Sequence, residues 1–589
     1  MFAFLVSNRC AALPVDDAYI LGKYALNLAQ GNGFSFNAGE VSFGSTSFLF
    51  PGLVSIPLRI PSLNFELIAH IYGKISFLLL VFLVELWVWR LTRDGGATLL
   101  SGFLTSLSPM GFMNAISGME TTTFTLALLG SFAIYTFYGL KKPIFFGLVS
   151  GISVLLRPEG FIVLAIPVFD SLLVRLEKCK VHIKEYLIFL VTFCVLVLPY
   201  LSAVKTTTGN WLPTTYQGKI ISTDPFMHQK GLVFDILWGL IFLFKGHWRT
   251  FAQWGIIGIF IWVIMVCGIA FLAASLFQTK VADDGIREKR KKILYAIFLL
   301  CFSVGAVVAS AIFSPQSLLK IPLALTIIFL GLSWLFLFRN LLKSSFSAFP
   351  FLLPVSTKTV SLVVILFLPF VYGTLFRAGP IFGGYYNRYI MPLVPASVIL
   401  FSLGLTIIFR YFAVKKVVRV ICLILFVGYP LWGTSIRLPY HKAICNRECS
   451  LNSGIRYQAG EWLKNNTPRE SLVFTGYTGL GVVGFYANRR ILDMGALINP
   501  DIFDYYRDVP ARGAKRWQRT IKYMLDKKVD YFVTAPGIED EPTSDPDGSA
   551  GFELVASFTA PNKDSPLKAI TIWKIDREKI KATKENYNP

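Results

Sequence analysis

VDDAYILGKYALNLAQGNGFSFNAGEVSFGSTSFLFP, residues 15–51, places two adjacent carboxylates, Asp16 and Asp17, at the start of a segment with helical periodicity. Apolar residues recur every three or four positions and predict a helix with one apolar side, suited to lie on a membrane surface. Gly31 and Gly33 end this helix. An aspartate before a helix is a good N-cap, but capping needs only one carboxylate, which leaves its neighbour available for chemistry.

The composition of the chain is that of a multi-pass membrane protein. Of its 589 residues, 54% are hydrophobic and 16% are charged, and the mean hydropathy is +0.57. Such values are ordinary for polytopic membrane proteins and unusual for soluble ones. We predict twelve spans, several of them shorter than the roughly 20 residues that a bilayer requires. They cover residues 70–90, 97–115, 121–139, 143–157, 160–174, 186–203, 252–277, 293–312, 319–338, 358–376, 389–409 and 417–434.

Lysine and arginine residues indicate how the spans are oriented. Loops on one side of the predicted spans hold 21 of these residues, and the alternate short loops hold four. By the positive-inside rule the first set is cytoplasmic, so the acidic loop, residues 15–66, and the chain from residue 437 lie outside the plasma (inner) membrane. The net charge of +22 therefore reflects a cytoplasmic rim rather than nucleic-acid binding. An outer acidic loop needs a span before it, so we expect the first span to be missing.

From about residue 450 the apolar runs shorten, and helical and extended patterns alternate. An α/β domain is thus predicted to follow the membrane domain of residues 1–436, within residues 437–589, and it is long enough for its own core. Its predicted helices cover 455–465, 479–486 and 513–526, and its predicted strands 471–475, 490–493, 531–534, 552–558 and 569–575. Cys445 and Cys449 predict a local disulfide, which an extracytoplasmic location allows.

Five polar clusters interrupt the apolar sequence, and the predicted topology places all of them on the outer side. Charged residues near membrane depth are costly and usually face a cavity or a partner. Each cluster alone could be a helix cap or a surface ion pair, but five on one side favour a shared site. The candidate site residues in these clusters are Asp16, Asp17, Glu120, Arg157, Glu159, Tyr216, Lys219, Tyr385, Tyr386 and Arg388.

The residue types in these clusters suit transfer of a sugar from a lipid phosphate. A carboxylate can act as general base towards an acceptor hydroxyl. Arg157, Lys219 and Arg388 supply cations for a phosphate leaving group, and tyrosines supply hydrogen bonds and stacking surfaces for a sugar. A single displacement of this kind inverts the anomeric carbon. The five histidines form no H-x-x-x-H pair, so no metal site and no cofactor are expected. A divalent cation at Asp16 and Asp17 stays an alternative, because hard cations bind carboxylates.

An ordered set of motifs adds a resemblance to these observations. DDAYILGKYALNLAQGNGFSFNAGE, SGMET, RPEG, LPTTYQGK and YYNRYIMPLVP, together with the tail phrase GEWLKNNTPRESLVFTGYTGLGVVGFYANRRILDMGALINP, span nearly the whole chain. Together they resemble the GT-C superfamily of polytopic glycosyltransferases, and within it the bacterial group around the mycobacterial terminal β-1,2-arabinofuranosyltransferase. The resemblance implies a polyprenyl-phosphate sugar donor and a glycan, lipid or protein acceptor of the cell envelope. It also implies a base in the acidic loop, where we expect Asp16, because Asp17 is better placed to cap the helix.

Two other functions fit part of the pattern. A transporter or flippase for a lipid-linked glycan would also carry charges within the membrane. Such proteins more often show repeated halves with broken spans in matching places, and no convincing repeat is visible here. A polymerase or ligase that uses a lipid-linked oligosaccharide is the second alternative.

Overall fold

A computed structural model gives the fold of the chain. It describes residues 12–167, 183–211, 213–215, 258, 261, 264–265, 365, 385–411, 414–476, 479–506, 509, 513–537, 551–561, 565 and 567–585. The predicted spans 252–277, 293–312, 319–338 and 358–376 therefore lie outside the described residues, apart from a few isolated positions.

The described part of the membrane domain is helical, as predicted. Its helices are α1 (Asp16–Ala29), α2 (Leu49–Ser55), α3 (Phe65–Thr92), α4 (Gly95–Ser106), α5 (Pro109–Ala115), α6 (Thr121–Tyr138), α7 (Pro143–Leu156), α8 (Ile183–Thr208), α9 (Leu393–Tyr411) and α10 (Lys416–Leu451). Short 3-10 segments cover Pro57–Arg59, Gly139–Lys141, Pro158–Leu164 and Tyr385–Ile390. Five described segments are long and apolar enough to cross a membrane, namely Phe65–Thr92, Thr121–Lys141, Ile183–Thr208, Arg388–Arg410 and Lys416–Ser435.

The predicted span 97–115 is divided into two short helices, α4 and α5. Ser108 lies between them and accepts a hydrogen bond from the backbone N–H of Gly111. Pro109 occupies the first turn of α5, a position where its missing N–H costs nothing. The helix is interrupted because a capping serine is followed by a proline. The stretch is otherwise apolar, so its composition predicts a single span.

Helix α1 is buried, which corrects the expectation that it lies on a membrane surface. Ten of its fourteen residues are buried, including Asp16, Lys23 and Asn27 on its polar side. Neither aspartate caps it, because Val15 holds the N-cap position and no side chain accepts a hydrogen bond there. On this polar side Asp16 accepts from the Val482 N–H of the C-terminal domain, and Asn27 Nδ2 donates to the carbonyls of Ser35 and Phe36 in the loop after the helix. The local sequence does not reveal the first of these partners.

Helix α10 leads from the membrane domain into the C-terminal domain. It runs through the predicted domain boundary at residue 436 and continues, after a π-helical turn with a kink at Gly454, into α11 (Tyr457–Asn466). Cys445 and Cys449 lie one turn apart on α10 and do not form the predicted disulfide; Cys449 Sγ donates to the Ala12 carbonyl at 3.3 Å instead. A continuous helix thus joins the two domains.

The C-terminal domain is the predicted α/β unit, and its strands agree with the sequence pattern. They are β1 (Leu472–Thr475), β2 (Arg490–Asp493), β3 (Tyr531–Thr534), β4 (Phe552–Thr559) and β5 (Ala569–Ile575). They form one sheet in the order β2-β1-β3-β5-β4, in which β2, β1 and β3 are parallel and β5 pairs antiparallel with β3 and β4. The other helices of this domain are α12 (Val482–Ala487), α13 (Ile502–Tyr506), α14 (Ala514–Asp526) and α15 (Arg577–Glu585).

The acidic loop is attached to the edge of this sheet. Asn37 Nδ2 donates to the Ile491 carbonyl and Asn37 Oδ1 accepts from the Ile491 N–H, both at 2.9 Å. One side chain thereby satisfies backbone groups of β2, the edge strand, which would otherwise be open to pairing. Tyr486 Oη donates to Glu66 Oε1 at 2.8 Å farther along the same contact. The C-terminal domain therefore holds the loop that carries the acidic pair.

Candidate active site

Asp17 and Arg388 form the accessible end of the candidate site. Arg388 Nη2 donates to Asp17 Oδ2 at 2.8 Å, and the Asp17 side chain is 38% exposed. Asp17 lies in the first turn of α1, and Arg388 lies in the 3-10 segment that precedes α9. Two motifs separated by 371 positions in the sequence thus meet in a charge-assisted hydrogen bond.

Glu120, Arg157 and Glu159 form the buried end. Arg157 Nη1 donates to Glu120 Oε1 at 2.9 Å, and Arg157 Nη2 donates to Glu159 Oε1 at 2.8 Å. All three side chains are almost fully buried. Because a buried ion is stable only when it is paired, two carboxylates around one guanidinium mean that Arg157 is fully neutralised.

Tyr389 joins the two ends. The guanidinium carbon of Arg157 lies 4.9 Å from the centroid of the Tyr389 ring, and that of Arg388 lies 5.2 Å from it. Both distances fit cation–π contacts. Asp17, Glu120, Arg157, Glu159, Arg388 and Tyr389 are therefore one continuous group, which we call the charged cluster.

Two polar atoms in the charged cluster have no hydrogen-bond partner among the described residues. They are Oε2 of Glu120 and Nε of Arg388, and both are buried. Buried polar groups are normally satisfied, and one left unpaired costs roughly 1–3 kcal/mol. An acceptor and a donor without partners indicate a place for a polar ligand or for water.

Asp16 points away from the charged cluster. Its Oδ1 accepts from the Val482 N–H at 2.9 Å and lies 3.8 Å from Arg456 Nε, both in the C-terminal part of the chain. Its residue exposure is 4%. Burial raises the pKa of Asp16, while Arg456 and the Val482 N–H act in the opposite direction. The adjacent carboxylates thus have different surroundings and different access.

The remaining predicted site residues are only partly covered by the structure. Tyr216 and Lys219 lie outside the described residues, and for Tyr385 and Tyr386 the structure describes the backbone alone, within the 3-10 segment that carries Arg388. Thr214, from the same motif as Tyr216, donates to the carbonyls of Phe43 and Leu497. That motif therefore reaches both the acidic loop and the C-terminal domain.

The described residues offer no ready-made metal site. They contain no group of three or more histidine, cysteine, aspartate or glutamate side chains placed to hold an ion. Asp17 is paired with Arg388, and the Asp16 carboxylate faces the C-terminal domain. A divalent cation bound by both aspartates would have to compete with these partners.

Several residues that contact the candidate site residues in the structure were not predicted from the sequence. Tyr389 stands in the quoted motif YYNRYIMPLVP, but a tyrosine beside an arginine gives no sign that a second arginine will pack on it. Arg456 and Val482 lie more than 400 positions after Asp16, in the C-terminal domain. The composition of that domain does not indicate its function. Only the glycines around Val482 hint at a close approach of two chain segments.

Comparison with known proteins gives three findings. A family described as "Domain of unknown function (DUF8728)" matches residues 448–577, which lie in the C-terminal domain. No curated protein sequence matches the chain. Several solved structures match the chain at low sequence identity.

Three of these structures, of two proteins, illustrate the likeness. ArnT from Cupriavidus metallidurans in the apo state is similar over 98% of this chain and 96% of its own, with 14% sequence identity and a TM-score of 0.45. The same protein bound to undecaprenyl phosphate has 12% sequence identity and a TM-score of 0.46. The oligosaccharyltransferase of Archaeoglobus fulgidus, tethered to an acceptor peptide, is similar over 96% of this chain and 74% of its own, with 13% identity and a TM-score of 0.46.

Proposed function

We propose that this protein is an inverting glycosyltransferase of GT-C type with Asp17 as its general base. In this proposal it moves a sugar from a polyprenyl phosphate to a glycan, lipid or protein acceptor on the outer face of the plasma membrane. The observation that carries the proposal is the half-exposed Asp17 carboxylate, held by Arg388 at the edge of the charged cluster. It replaces Asp16 as our candidate base, because the Asp16 carboxylate is buried and already bonded to the C-terminal domain.

The proposed reaction is one displacement at the anomeric carbon. The acceptor oxygen attacks that carbon and forms the new glycosidic bond, while the bond to the phosphate oxygen breaks and its electron pair leaves with the phosphate. Asp17 takes the proton of the acceptor hydroxyl. Attack and departure on opposite faces invert the configuration. A phosphate is a good leaving group, so no strong general acid is required.

Arg388 is the best candidate for holding the leaving phosphate. Its Nε has no partner among the residues described, and its Nη1 has only a 4.0 Å contact with Met119 Sδ. Cations placed where charge develops can lower the barrier by several kcal/mol. Arg157 suits this role less well, because Glu120 and Glu159 already neutralise it. We assign Glu120, Arg157 and Glu159 to the support of Tyr389 and Arg388, and Tyr216, Lys219, Tyr385 and Tyr386 to donor contacts.

Transfer assays in liposomes test the proposal. The protein is offered a panel of radiolabelled polyprenyl-phosphate sugars and an envelope-glycan extract, with Asp17→Asn in parallel. We expect transfer by the wild type and a loss of roughly 10²–10⁴-fold in the variant, the usual contribution of a general base. Arg388→Lys, which keeps the charge but loses the planar fork, should weaken donor binding more than it slows turnover.

Three outcomes would contradict this assignment. Unchanged transfer by Asp17→Asn, after both proteins are shown to fold, would remove Asp17 as the base. Retention of the anomeric configuration would exclude a single displacement. Absence of transfer from every donor, together with movement of labelled lipid between leaflets, would instead support the transporter or flippase.

A further inference from the structure

We propose that the C-terminal domain is a working part of the active site, and that Asp16 is the positioning residue through which it holds helix α1. The inference rests on the proposed role of Asp17, since what Asp16 positions is that neighbouring carboxylate. It assigns a role to the C-terminal domain that does not depend on binding a glycan.

A closed path of polar contacts connects the start of α1 with the C-terminal segment. Asp16 Oδ1 accepts from the Val482 N–H at 2.9 Å and lies 3.8 Å from Arg456 Nε. Arg456 Nη1 donates to Asn452 Oδ1 at 2.6 Å, and Asn452 Nδ2 donates to the Leu13 carbonyl at 2.7 Å. The path begins at the Asp16 side chain and ends at the Leu13 carbonyl, three residues earlier in the sequence. It therefore clamps the segment that precedes α1.

The backbone at Gly481 gives an independent indication of close contact. A Cβ atom at this position would lie 2.2 Å from the Asp16 carbonyl oxygen and 2.5 Å from the Asp16 carboxyl carbon. Both distances are far below van der Waals contact. Only glycine therefore allows the chain before α12 to approach the first residue of α1 this closely.

The rotation of α1 connects Asp16 with the proposed chemistry. Successive residues of a helix are about 100° apart around its axis, so adjacent side chains diverge. When Asp16 is fixed against Val482, Asp17 is turned towards Arg388. A general base must lie within hydrogen-bond reach of the proton that it takes, and a displacement of about 1 Å can cost roughly 10²-fold in rate. Release of Asp16 should therefore reduce turnover although Asp17 is intact.

Four variants of the full chain separate this role from the alternatives. Asp16→Asn keeps an oxygen that can accept from Val482 N–H, whereas Asp16→Ala removes it. Gly481→Ala pushes the same contact apart while both aspartates stay unsubstituted. Asp17→Asn is the matched control, because it removes the proposed base at the neighbouring position and leaves the clamp in place.

Two measurements are made on each variant in detergent or liposomes. Sugar transfer is resolved into turnover and donor KM, and hydrogen exchange reports protection of the amides at 481–483 and in α1. We expect Asp16→Asn to stay protected and to transfer within about tenfold of wild type. Asp16→Ala and Gly481→Ala should lose protection and about 10²-fold in turnover, with little change in donor KM. Asp17→Asn should be protected but inactive.

The outcomes that overturn the inference differ from those that overturn the proposed function. If Asp16→Asn is protected but as inactive as Asp17→Asn, Asp16 is the base and not a positioning residue. If Asp16→Ala and Gly481→Ala lose protection but keep full turnover, the clamp is only structural. Absence of transfer by wild type itself would contradict the glycosyltransferase and with it any positioning role, whereas hydrogen exchange would still show whether Asp16 attaches the C-terminal domain.

Discussion

Tyr389 shows how a single side chain can organise the charges of the candidate site. Its ring separates two guanidinium groups that would otherwise repel each other, and its hydroxyl lies 3.3 Å from Arg388 Nη2. The charged cluster holds three carboxylates and two guanidiniums, so most of its charge is compensated internally. The Tyr389 ring acts as a spacer that attracts both guanidinium groups, and it thereby keeps Arg388 extended towards Asp17.

Substitution of Tyr389 should separate the function of its ring from that of its hydroxyl. Tyr389→Phe keeps both cation–π contacts and should keep sugar transfer within a few-fold of wild type. Tyr389→Leu removes them, and since each contact contributes about 0.5–2 kcal/mol, we expect transfer to fall by about tenfold or more. Turnover and donor KM, measured for both variants at equal folded protein, check this. Equal losses in the two variants would assign the effect to the hydroxyl and contradict the spacer role.

At the scale of elements, small residues let the membrane helices approach one another closely. Gly73 of α3 faces the end of α5, where a Cβ atom would lie 2.1 Å from the Ala115 carbonyl oxygen. Helix interfaces in membranes commonly use such residues, because the driving force is close packing rather than exclusion of water. The Ser117–Thr121 motif follows α5 directly, so this contact also places Glu120.

Gly73→Ala should destabilise the membrane domain, whereas Gly428→Ala should not. An added methyl group at Gly73 has to displace backbone, and overpacking of this kind costs typically 1–3 kcal/mol. Apart from neighbours in its own helix, no described residue lies within 4 Å of the position that a Cβ of Gly428, in α10, would take, so the matched variant should leave stability unchanged or raise it slightly. Apparent melting temperatures in one detergent give the comparison. A lower value for Gly428→Ala than for Gly73→Ala would show that the close approach does not limit stability.

Local elements were predictable from the sequence, but their orientations were not. The strands over 490–493 and 531–534 follow from short apolar runs between turn residues, and the structure has the same bounds. The structure brings Asp17 and Arg388, from two of the five polar clusters, into contact. Which of two adjacent aspartates faces that cluster depends on Val482, 466 positions later, and no local pattern encodes such a contact.

For the whole molecule, the decisive feature is that the acidic loop is enclosed between the membrane domain and the C-terminal domain. The loop after β2 forms part of this enclosure, because Leu497 packs on Gly44 and its carbonyl accepts a hydrogen bond from Thr214. Asp493 shapes that loop by accepting from the N–H groups of Leu497 and Ile498, both at 3.0 Å. A buried carboxyl group thus supports the junction of three distant segments.

The stability of this junction should depend on pH through Asp493. Burial raises the pKa of Asp493 to about 6, against 3.8 when unfolded, although the N–H groups of Ile498, Leu497 and Gly495 oppose the increase. The folded state therefore binds the proton more tightly, so this residue's contribution is largest below pH 4 and is lost as pH rises through about 6. The loss amounts to ~3 kcal/mol.

Melting of the full chain in detergent at several pH values between 4 and 7 measures this contribution, with Asp493→Asn as the control that cannot ionise. Other carboxylates also titrate in this range, so the relevant quantity is the difference between wild type and variant at each pH. We expect wild type to lose stability relative to Asp493→Asn as pH rises from 4 to 7. A difference that is constant with pH, or that changes in the opposite direction, would mean that Asp493 has an ordinary or lowered pKa. In that case its carboxylate would stabilise the junction as an anion.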